Sequence, residues 1–167
     1  MGWFSKELTI GDLMNIDPGR IKRSEMLEKV KLVEVYNILR EESILGKILR
    51  FFKLKTLPIF YKVVKYSVLS NSGSTYTVFI KVSPGFDINR FYRNKVQVFC
   101  NCGDFKYRAA YLLNKHDNVY INQATKDFLG IALTTAPTRV DTTPICKHVY
   151  AAIEQFKLDY KKLGFVS

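Results

Sequence analysis

The segment VFCNCGDFKYR, residues 98–108, places two cysteines one residue apart at the end of an apolar stretch. The letters KVQVFCNC are rich in Val and Phe with partial alternation, which is typical of a β-strand. Side chains at positions i and i+2 of a strand share a face, so the Cys100 and Cys102 thiols can converge on one atom. The third cysteine of the chain, Cys146, follows 44 positions after Cys102, in TPICKHVYAA. The fold of this region depends on how the chain between Cys102 and Cys146 brings the two cysteine segments together.

Cys146 and His148 lie at the predicted start of a helix. Thr143 can cap this helix and Pro144 suits its first helical position, while Gly164 would end it. Free backbone N–H groups and the helix dipole at such a start favour a thiolate, which is the form of cysteine that binds metals. Because residues i and i+2 diverge within a regular helix, we expect Cys146 in the turn before the helix and His148 in its first turn. The predicted apolar stripe consists of Val149, Ile153, Phe156 and Tyr160.

Three cysteines and one histidine, Cys100, Cys102, Cys146 and His148, form a ligand set that matches closed tetrahedral zinc. A set with no open position predicts one structural Zn²⁺, since catalytic zinc usually keeps a position for water. Three alternatives stay open: separate buried thiols, a strained disulfide between Cys100 and Cys102 that leaves Cys146 unused, or a Cys–His nucleophile without a recognisable third member. The other histidine, His116, lies in the polar segment NKHDN and is expected on the surface.

The rest of the sequence predicts an α+β protein. Apolar residues recur at three- and four-residue steps from about Ser24 to Lys53, which predicts a long helical stretch that Gly46 can divide in two. The segments IFYKVVKYSVLS and STYTVFIKVS, joined through NSG, predict a β-hairpin, and KVQVFCNC adds a third strand. We therefore expect N-terminal helices, a small antiparallel sheet, and a C-terminal helix that zinc ties to the sheet. The predicted division is a helical segment at 1–55 and a hairpin plus zinc-binding domain at 56–167.

The chain is basic, with a formal net charge of +11, and the excess lies with the cysteines. Residues 1–55 contain 11 Lys or Arg against 8 Asp or Glu, and residues 56–167 contain 15 against 7. This balance favours a polyanion such as nucleic acid, an acidic membrane surface or an acidic protein, although it also suits a solubilising surface. A membrane is not the expected partner, because basic amphipathic stripes such as ILGKILRFFKLK more often pack on a core. The candidate polyanion contacts are Arg90, Arg93, Lys95, Lys106, Arg108 and Lys147.

Aromatic and basic residues alternate just after the cysteine pair. If this segment is extended, Phe105, Tyr107 and Tyr111 pack beneath the metal site while Lys106 and Arg108 face outward. The alternative is that these side chains stack on nucleobases and contact phosphates. We expect core packing.

The pairs C-x-C and C-x-H, written CNC and CKH in this chain, resemble the SWIM-type zinc finger. That finger is a small β-β-α unit whose first pair ends a strand and whose second pair begins a helix. The resemblance covers residues 96 to about 156 and implies zinc ligation by both pairs. The 43 residues between Cys102 and Cys146 exceed the usual SWIM spacing, so an insertion must leave the metal and return to it. With its C-x-C-x-D-F-x-Y-R start, this insertion is similar to long-insert SWIM-like segments in structural proteins of tailed-phage virions.

These features predict a non-enzymatic, zinc-stabilised structural or assembly protein, placed by the resemblance in the capsid, neck or tail of a phage virion. Its expected partners are other protein subunits. A SWIM-type nucleic-acid-binding module is the alternative. An enzyme is not expected, because no Gly-rich phosphate loop, paired acidic metal site or nucleophile–base pair is evident. Without an apolar run of about 18–20 residues or a secretory signal pattern, the chain is expected to be soluble, made in the cytoplasm and then incorporated into the virion.

Overall fold

The computed structural model describes residues 7–15, 29–39, 60–137 and 145–163. The strands are β1 (Val30–Leu39), β2 (Phe60–Leu69), β3 (Thr75–Val82) and β4 (Val96–Cys100). The α-helices are α1 (Ile10–Met14), α2 (Ala110–Lys115), α3 (Gln123–Leu129) and α4 (Lys147–Asp159). A π-helical turn at Phe105–Ala109 leads into α2, and 3-10 turns occupy Ile88–Arg93, Gly130–Leu133 and Tyr160–Leu163. The predicted α+β class is confirmed. Among these described helices, none combines the length and the apolar character needed to cross a bilayer.

The four strands form one antiparallel sheet in the order β1-β2-β3-β4. The hairpin predicted from the sequence forms as β2 and β3, and its turn contains Gly73 with a φ of 82°, a conformation that glycine adopts without strain. β4 then pairs with β3 in a register that sets Cys100 opposite Val78. The third predicted strand is confirmed, but it ends at Cys100, so Cys102 lies in the bend after the strand and not within it.

β1 corrects the helix predicted from about Ser24 to Lys53. Residues 30–39 form a strand that pairs with β2 along its length. Their letters, VKLVEVYNIL, are rich in the β-branched and aromatic residues that favour strands. A bulge between Leu32 and Glu34 interrupts the alternation of side chains, and this irregularity produced the three- and four-residue spacing that resembled a helix. The remaining part of the predicted helix lies outside the described residues, and so does the boundary predicted at residues 55 and 56.

One face of the sheet is covered by α4. The strand register places Val64, Ile80 and Val98 in one row across three strands, and all three side chains are fully buried. The helix contributes a continuous apolar surface to the same core. Its buried residues are His148, Val149, Tyr150, Ala151, Ala152, Ile153, Phe156 and Asp159.

The insertion between the two cysteine segments packs on β4 and on the opposite face of the sheet. Residues 118–120 run beside β4 with a parallel bridge between Val98 and Val119, so the outer edge of β4 is covered. On the opposite face, the Phe99 ring contacts Phe105 and Phe128, each with centroids 5.7 Å apart. The described part of the insertion, residues 103–137, is therefore a folded element with its own share of the core.

Candidate metal centre

β4 and the turn after it supply the first two thiols. Cys100 is the last residue of β4, and Cys102 precedes the helical turn that begins the insertion. The backbone N–H of Phe105 donates to Cys102 Sγ at 3.3 Å, and the carbonyl of Cys102 accepts from Lys106 at 3.1 Å. A sulfur that accepts an amide at the start of a helical turn is in the environment that favours a thiolate.

The start of α4 supplies the other two ligands. Cys146 has an extended backbone, with φ −80° and ψ 162°, and is the N-cap residue, while His148 lies in the first turn. This placement agrees with the expected positions of both residues, whereas Thr143, Pro144 and Gly164 lie outside the described residues. Burial raises the pKa of Cys146, and the backbone N–H of Val149 partly offsets that rise. Val149 follows Cys146 by three residues, as Phe105 follows Cys102, so both cysteine segments lead into a helical turn.

The four predicted ligands come together in one buried cluster. Their ligand atoms lie within 4.8 Å of one another, and Cys100 Sγ is 3.9 Å from His148 Nδ1. Each of the four side chains is between 0 and 4% exposed. Zinc–sulfur bonds of about 2.3 Å and zinc–nitrogen bonds of about 2.0 Å in a tetrahedron require ligand atoms roughly 3.5–3.8 Å apart. The residues present therefore fit one four-coordinate zinc ion with only small adjustments.

The electrostatics of the cluster also require a cation. Hydrogen bonding to Cys102 raises the pKa of Cys100, and burial raises the pKa of Cys146. In contrast, hydrogen bonding with Cys100 lowers the pKa of Cys102. Three thiols in so small a space can thus share one negative charge between them, but three thiolates need a positive ion to offset their mutual repulsion and loss of water. A divalent metal bound by thiolates meets this need.

His148 is held by a neighbour that the sequence did not indicate. Its ring stacks on Tyr76 of β3, with centroids 4.2 Å apart and the ring planes at 29°. Its Nε2 atom is buried and has no hydrogen-bond partner in the described part of the chain. The register between β3 and β4 explains why Tyr76 is the neighbour of His148. Val78 pairs with Cys100, and Tyr76, two residues away along β3, has its side chain on the same face of the sheet.

Comparison with known families agrees with this geometry. Residues 76–114 and 144–157 match the family model described as SWIM zinc finger. These residues carry a SWIM-type zinc finger. The match includes Tyr76, all four ligands and the first turns of α4, and it leaves out residues 115–143 of the insertion. Searches of curated proteins and of solved structures gave no significant match.

Within the SWIM finger, a bound zinc would supply the positive charge that holds three thiolates and one imidazole together. The four residues then cross-link the end of β4 to the start of α4. All four are buried, and together they would fill the four positions of a tetrahedral zinc ion. An arrangement of this kind stabilises a fold and leaves no position for a reacting water. The cofactor expected from the sequence, one structural zinc, is supported by the family match and by the buried cluster.

The six candidate polyanion contacts fall into two groups at opposite ends of β4. Near its start, Arg90 lies 3.7 Å from Asp87 and Lys95 lies 2.8 Å from Glu7, and Arg93 is exposed. At the zinc end, Arg108 forms an ion pair with Asp104 at 2.7 Å, Lys106 lies over the Phe128 ring, and Lys147 is exposed. A five-residue strand is about 17 Å long, so these cations do not form one continuous surface.

The aromatic residues after the cysteine pair correct the predicted alternation. Phe105 is fully buried, as expected, but Tyr107 is 71% exposed, while Tyr111 is half-buried and Arg108 is not turned fully outward. The reason is that residues 105–115 are helical, so successive side chains do not alternate between two faces as they do in a strand. His116 lies at the end of α2, half-buried and outside the metal cluster.

Proposed function

We propose that this protein is a non-enzymatic structural subunit whose SWIM-type zinc finger stabilises a surface used for assembly with other protein subunits, as in a tailed-phage virion. The virion assignment is supported by the C-x-C-x-D-F-x-Y-R segment and its long insertion. The non-enzymatic assignment is supported by the closed ligand set, which gives the metal a stabilising role. The assembly role is supported by the open edge of the sheet.

The two edges of the sheet differ in the described part of the chain. The outer edge of β4 is bonded to the insertion, with Val98 N–H donating to Asn118 at 2.7 Å and Tyr120 N–H donating to Val98 at 2.9 Å. β1 forms the other edge and pairs with β2 alone among the described strands. An edge strand of this kind is a template for pairing with another chain.

β1 also exposes apolar side chains that a monomer does not need. Val33, Val35 and Leu39 are 52%, 36% and 57% exposed, and Phe60, the β2 partner of Leu39, is 48% exposed. The bulge at Val33 interrupts the first half of the edge, which limits indiscriminate pairing. The regular stretch from Glu34 to Leu39 is then the surface best suited to a partner subunit. This open apolar edge is the observation on which the assembly proposal mainly rests.

The test is the mass of the protein in solution, measured by native mass spectrometry and by light scattering over about a hundredfold range of concentration. We expect assemblies heavier than the 19.3 kDa chain, and we expect Val35→Glu combined with Leu39→Glu to shift the population to monomer. Ile131→Glu is the matched control, because Ile131 is 80% exposed on the insertion. A wild-type chain that stays a stable monomer throughout, or a control that dissociates as readily as the double variant, would contradict the proposal.

Nucleic-acid binding at the zinc end is the second candidate, and the exposure of Tyr107 favours it. The Tyr107 ring projects from a π-helical turn, next to Lys106, whose ammonium is 5.5 Å from the ring centroid. Gly103 lies beside this ring, since a Cβ at Gly103 would stand 3.9 Å from Tyr107. An exposed aromatic ring beside a cation is the arrangement that stacks on bases of single strands.

Binding of a single-stranded oligonucleotide at several salt concentrations tests this second candidate. We expect Tyr107→Ala to weaken binding by about 1–3 kcal/mol and Lys147→Gln to reduce the salt dependence by roughly one phosphate contact. Tyr160→Ala is a control that removes a tyrosine near the far end of α4. If affinity is independent of salt, or if Tyr107→Ala binds as well as wild type, the zinc end is not a nucleic-acid surface.

A further inference from the structure

A surface cleft of about 230 Å³ lies at the end of the sheet that is opposite to the zinc finger. Two segments form it: the turn after β3 and the loop that leads into β4. This volume is large enough to admit a phosphate group from the solvent side. The lining residues are Ser83, Gly85, Phe86, Arg93, Asn94 and Lys95.

The wall that carries the cations is fixed by the side chain of Asn94. Its amide group donates to the backbone carbonyls of Asp87, Arg90 and Phe91 at 2.6, 3.1 and 3.1 Å, and its Oδ1 accepts from Asp87 N–H at 2.9 Å. The backbone carbonyl of Asn94 accepts from Ile10 N–H at 2.8 Å. The backbone of the loop before β4 is therefore braced from both sides, so the points at which its cationic side chains leave the backbone are set before any ligand arrives.

The opposite wall and the floor are also rigid. The turn after β3 contains Pro84 followed by Gly85 with a φ of 83°, a position where a side chain would be strained. Phe86 forms part of the floor and packs edge-on against Phe91 and Phe156, with centroids 5.9 and 5.4 Å apart. A preformed cleft of this type loses little conformational entropy when it binds a ligand.

The charges of the cleft leave a positive excess. Lys95 is balanced by Glu7 at 2.8 Å, and Arg90, outside the cleft, is close to Asp87 at 3.7 Å. Arg93 forms no ion pair in the described part of the chain and is exposed. A guanidinium offers several donors in a plane that matches the oxygens of a phosphate. Glu7 and Asp87 are thus each close to another cation. Arg93 has no ion-pair partner among the described residues, and this points to an anionic ligand.

We propose that this cleft is a phosphate-binding site in which Arg93 is the principal ligand, and Ser83 and the backbone of the Pro84–Gly85 turn complete the rim. The ligand is a phosphate group, carried either by a small phosphorylated molecule or by a nucleic-acid backbone. The site lies about 17 Å from the zinc ligands, the length of β4. It depends neither on the assembly surface at β1 nor on stacking at Tyr107.

A titration followed by amide NMR shifts tests the site, with inorganic phosphate, a nucleoside monophosphate and a single-stranded oligonucleotide as separate probes at constant ionic strength. We expect saturable shifts confined to residues around Gly85 and Lys95. Arg93→Gln should weaken phosphate binding at least about tenfold, because it removes a charge-assisted, bidentate contact. Lys126→Gln is the matched control, since it removes an exposed cation from α3, and it should bind like wild type. Zinc content and circular dichroism verify that each variant is folded.

The three probes distinguish the two sources of phosphate. A nucleoside monophosphate that binds as tightly as the oligonucleotide assigns the site to a small phosphorylated ligand. An oligonucleotide that binds more tightly, with a salt dependence that decreases in Arg93→Gln, assigns it to a nucleic-acid backbone. Shifts that rise linearly without saturation, an Arg93→Gln variant that binds phosphate like wild type, or an equal loss in Lys126→Gln would overturn the proposal.

Discussion

Replacing His148 by alanine distinguishes a fold that depends on a bound metal from a fold in which the histidine contributes only packing. His148 is 4% exposed and stacks on Tyr76 at 4.2 Å. If the ring were only a packing element, its loss would leave a cavity and cost about 3–5 kcal/mol, by analogy with other large aromatic side chains. For a chain of this size that loss lowers the melting temperature by roughly 6–20 °C while the transition stays cooperative.

The zinc finger predicts a larger effect. Zinc sites of this kind contribute about 10–16 kcal/mol at neutral pH in peptides, whereas whole domains are stable by about 5–15 kcal/mol. Losing the fourth ligand should therefore release the metal and melt the elements that it joins, residues 96 to about 160. In the His148→Ala variant, α4 and the insertion should therefore show no cooperative unfolding transition.

Two measurements on the same samples check this expectation: zinc per chain by elemental analysis, without prior exposure to a chelator, and thermal unfolding by circular dichroism. His116→Ala is the matched control, since His116 is the other histidine of the chain and lies outside the cluster. The control should retain one zinc and melt within a few degrees of wild type. A wild-type chain with less than half an equivalent of zinc, or a His148→Ala variant that keeps a full equivalent, would refute the metal-dependent fold.

Other parts of the structure give further predictions. Asn118→Ala should cost about 2–4 kcal/mol in chemical denaturation, because the amide of Asn118 is 1% exposed and bonds to three backbone groups; a loss below 1 kcal/mol would contradict that estimate. Gly11→Ala should also destabilise, since a Cβ would stand 2.9 Å from the carbonyl oxygen of Tyr92, and an unchanged melting temperature would show that α1 can shift freely. Burial first of all raises the pKa of both Tyr36 and Tyr66. Their contribution to stability should therefore be fully present below pH 10 and decrease as the pH rises above it, because the unfolded chain ionises these tyrosines first. Absorbance titration near 295 nm should show tyrosines that ionise well above pH 10 while the protein stays folded, and Tyr66→Phe should remove one of them.

The local chemistry around the cysteines was readable from the sequence because each step depends on nearest neighbours. An apolar alternating run ends at Cys100, and a second cysteine two residues later shares its surroundings. Cys146 and His148 precede an apolar stripe with helical period. These patterns predict that one pair of ligands lies at the end of a strand and the other at the start of a helix. Coordination of one zinc ion then requires the end of that strand to lie next to the start of that helix.

The sequence was less informative where the spacing of side chains suggested the wrong type of secondary structure. In β1, a bulge at Val33 gives a strand the spacing of a helix, and only the pairing with β2 reveals it. After Cys102, the alternation of aromatic and basic residues suggested an extended segment, but a helical turn carries Tyr107 to the surface. For β1, contacts distant in sequence decided the outcome. For the segment after Cys102, the local hydrogen bonds from Phe105 and Lys106 to Cys102 belong to the helical turn. The sequence indicated Arg93 and Lys95 as candidate polyanion contacts, but it gave no signal for the cleft itself, because the shape of the cleft depends on how Asn94 folds the loop back on itself.

The insertion covers the edge of the sheet next to the zinc finger, which leaves β1 as the open edge in the described part of the chain. Closing 43 residues between Cys102 and Cys146 costs entropy that grows only slowly with length, and the insertion offsets this cost by burying Phe105, Leu113 and Leu129. While its ends are fixed at the metal, residues 118–120 stay bonded along β4, and that edge is unavailable to another chain. In the assembly that we propose, growth of the sheet is therefore directed to β1. Metal loss should free the β4 edge as well, so the zinc-depleted protein should associate through both edges and aggregate, while the zinc-bound form gives assemblies of defined mass.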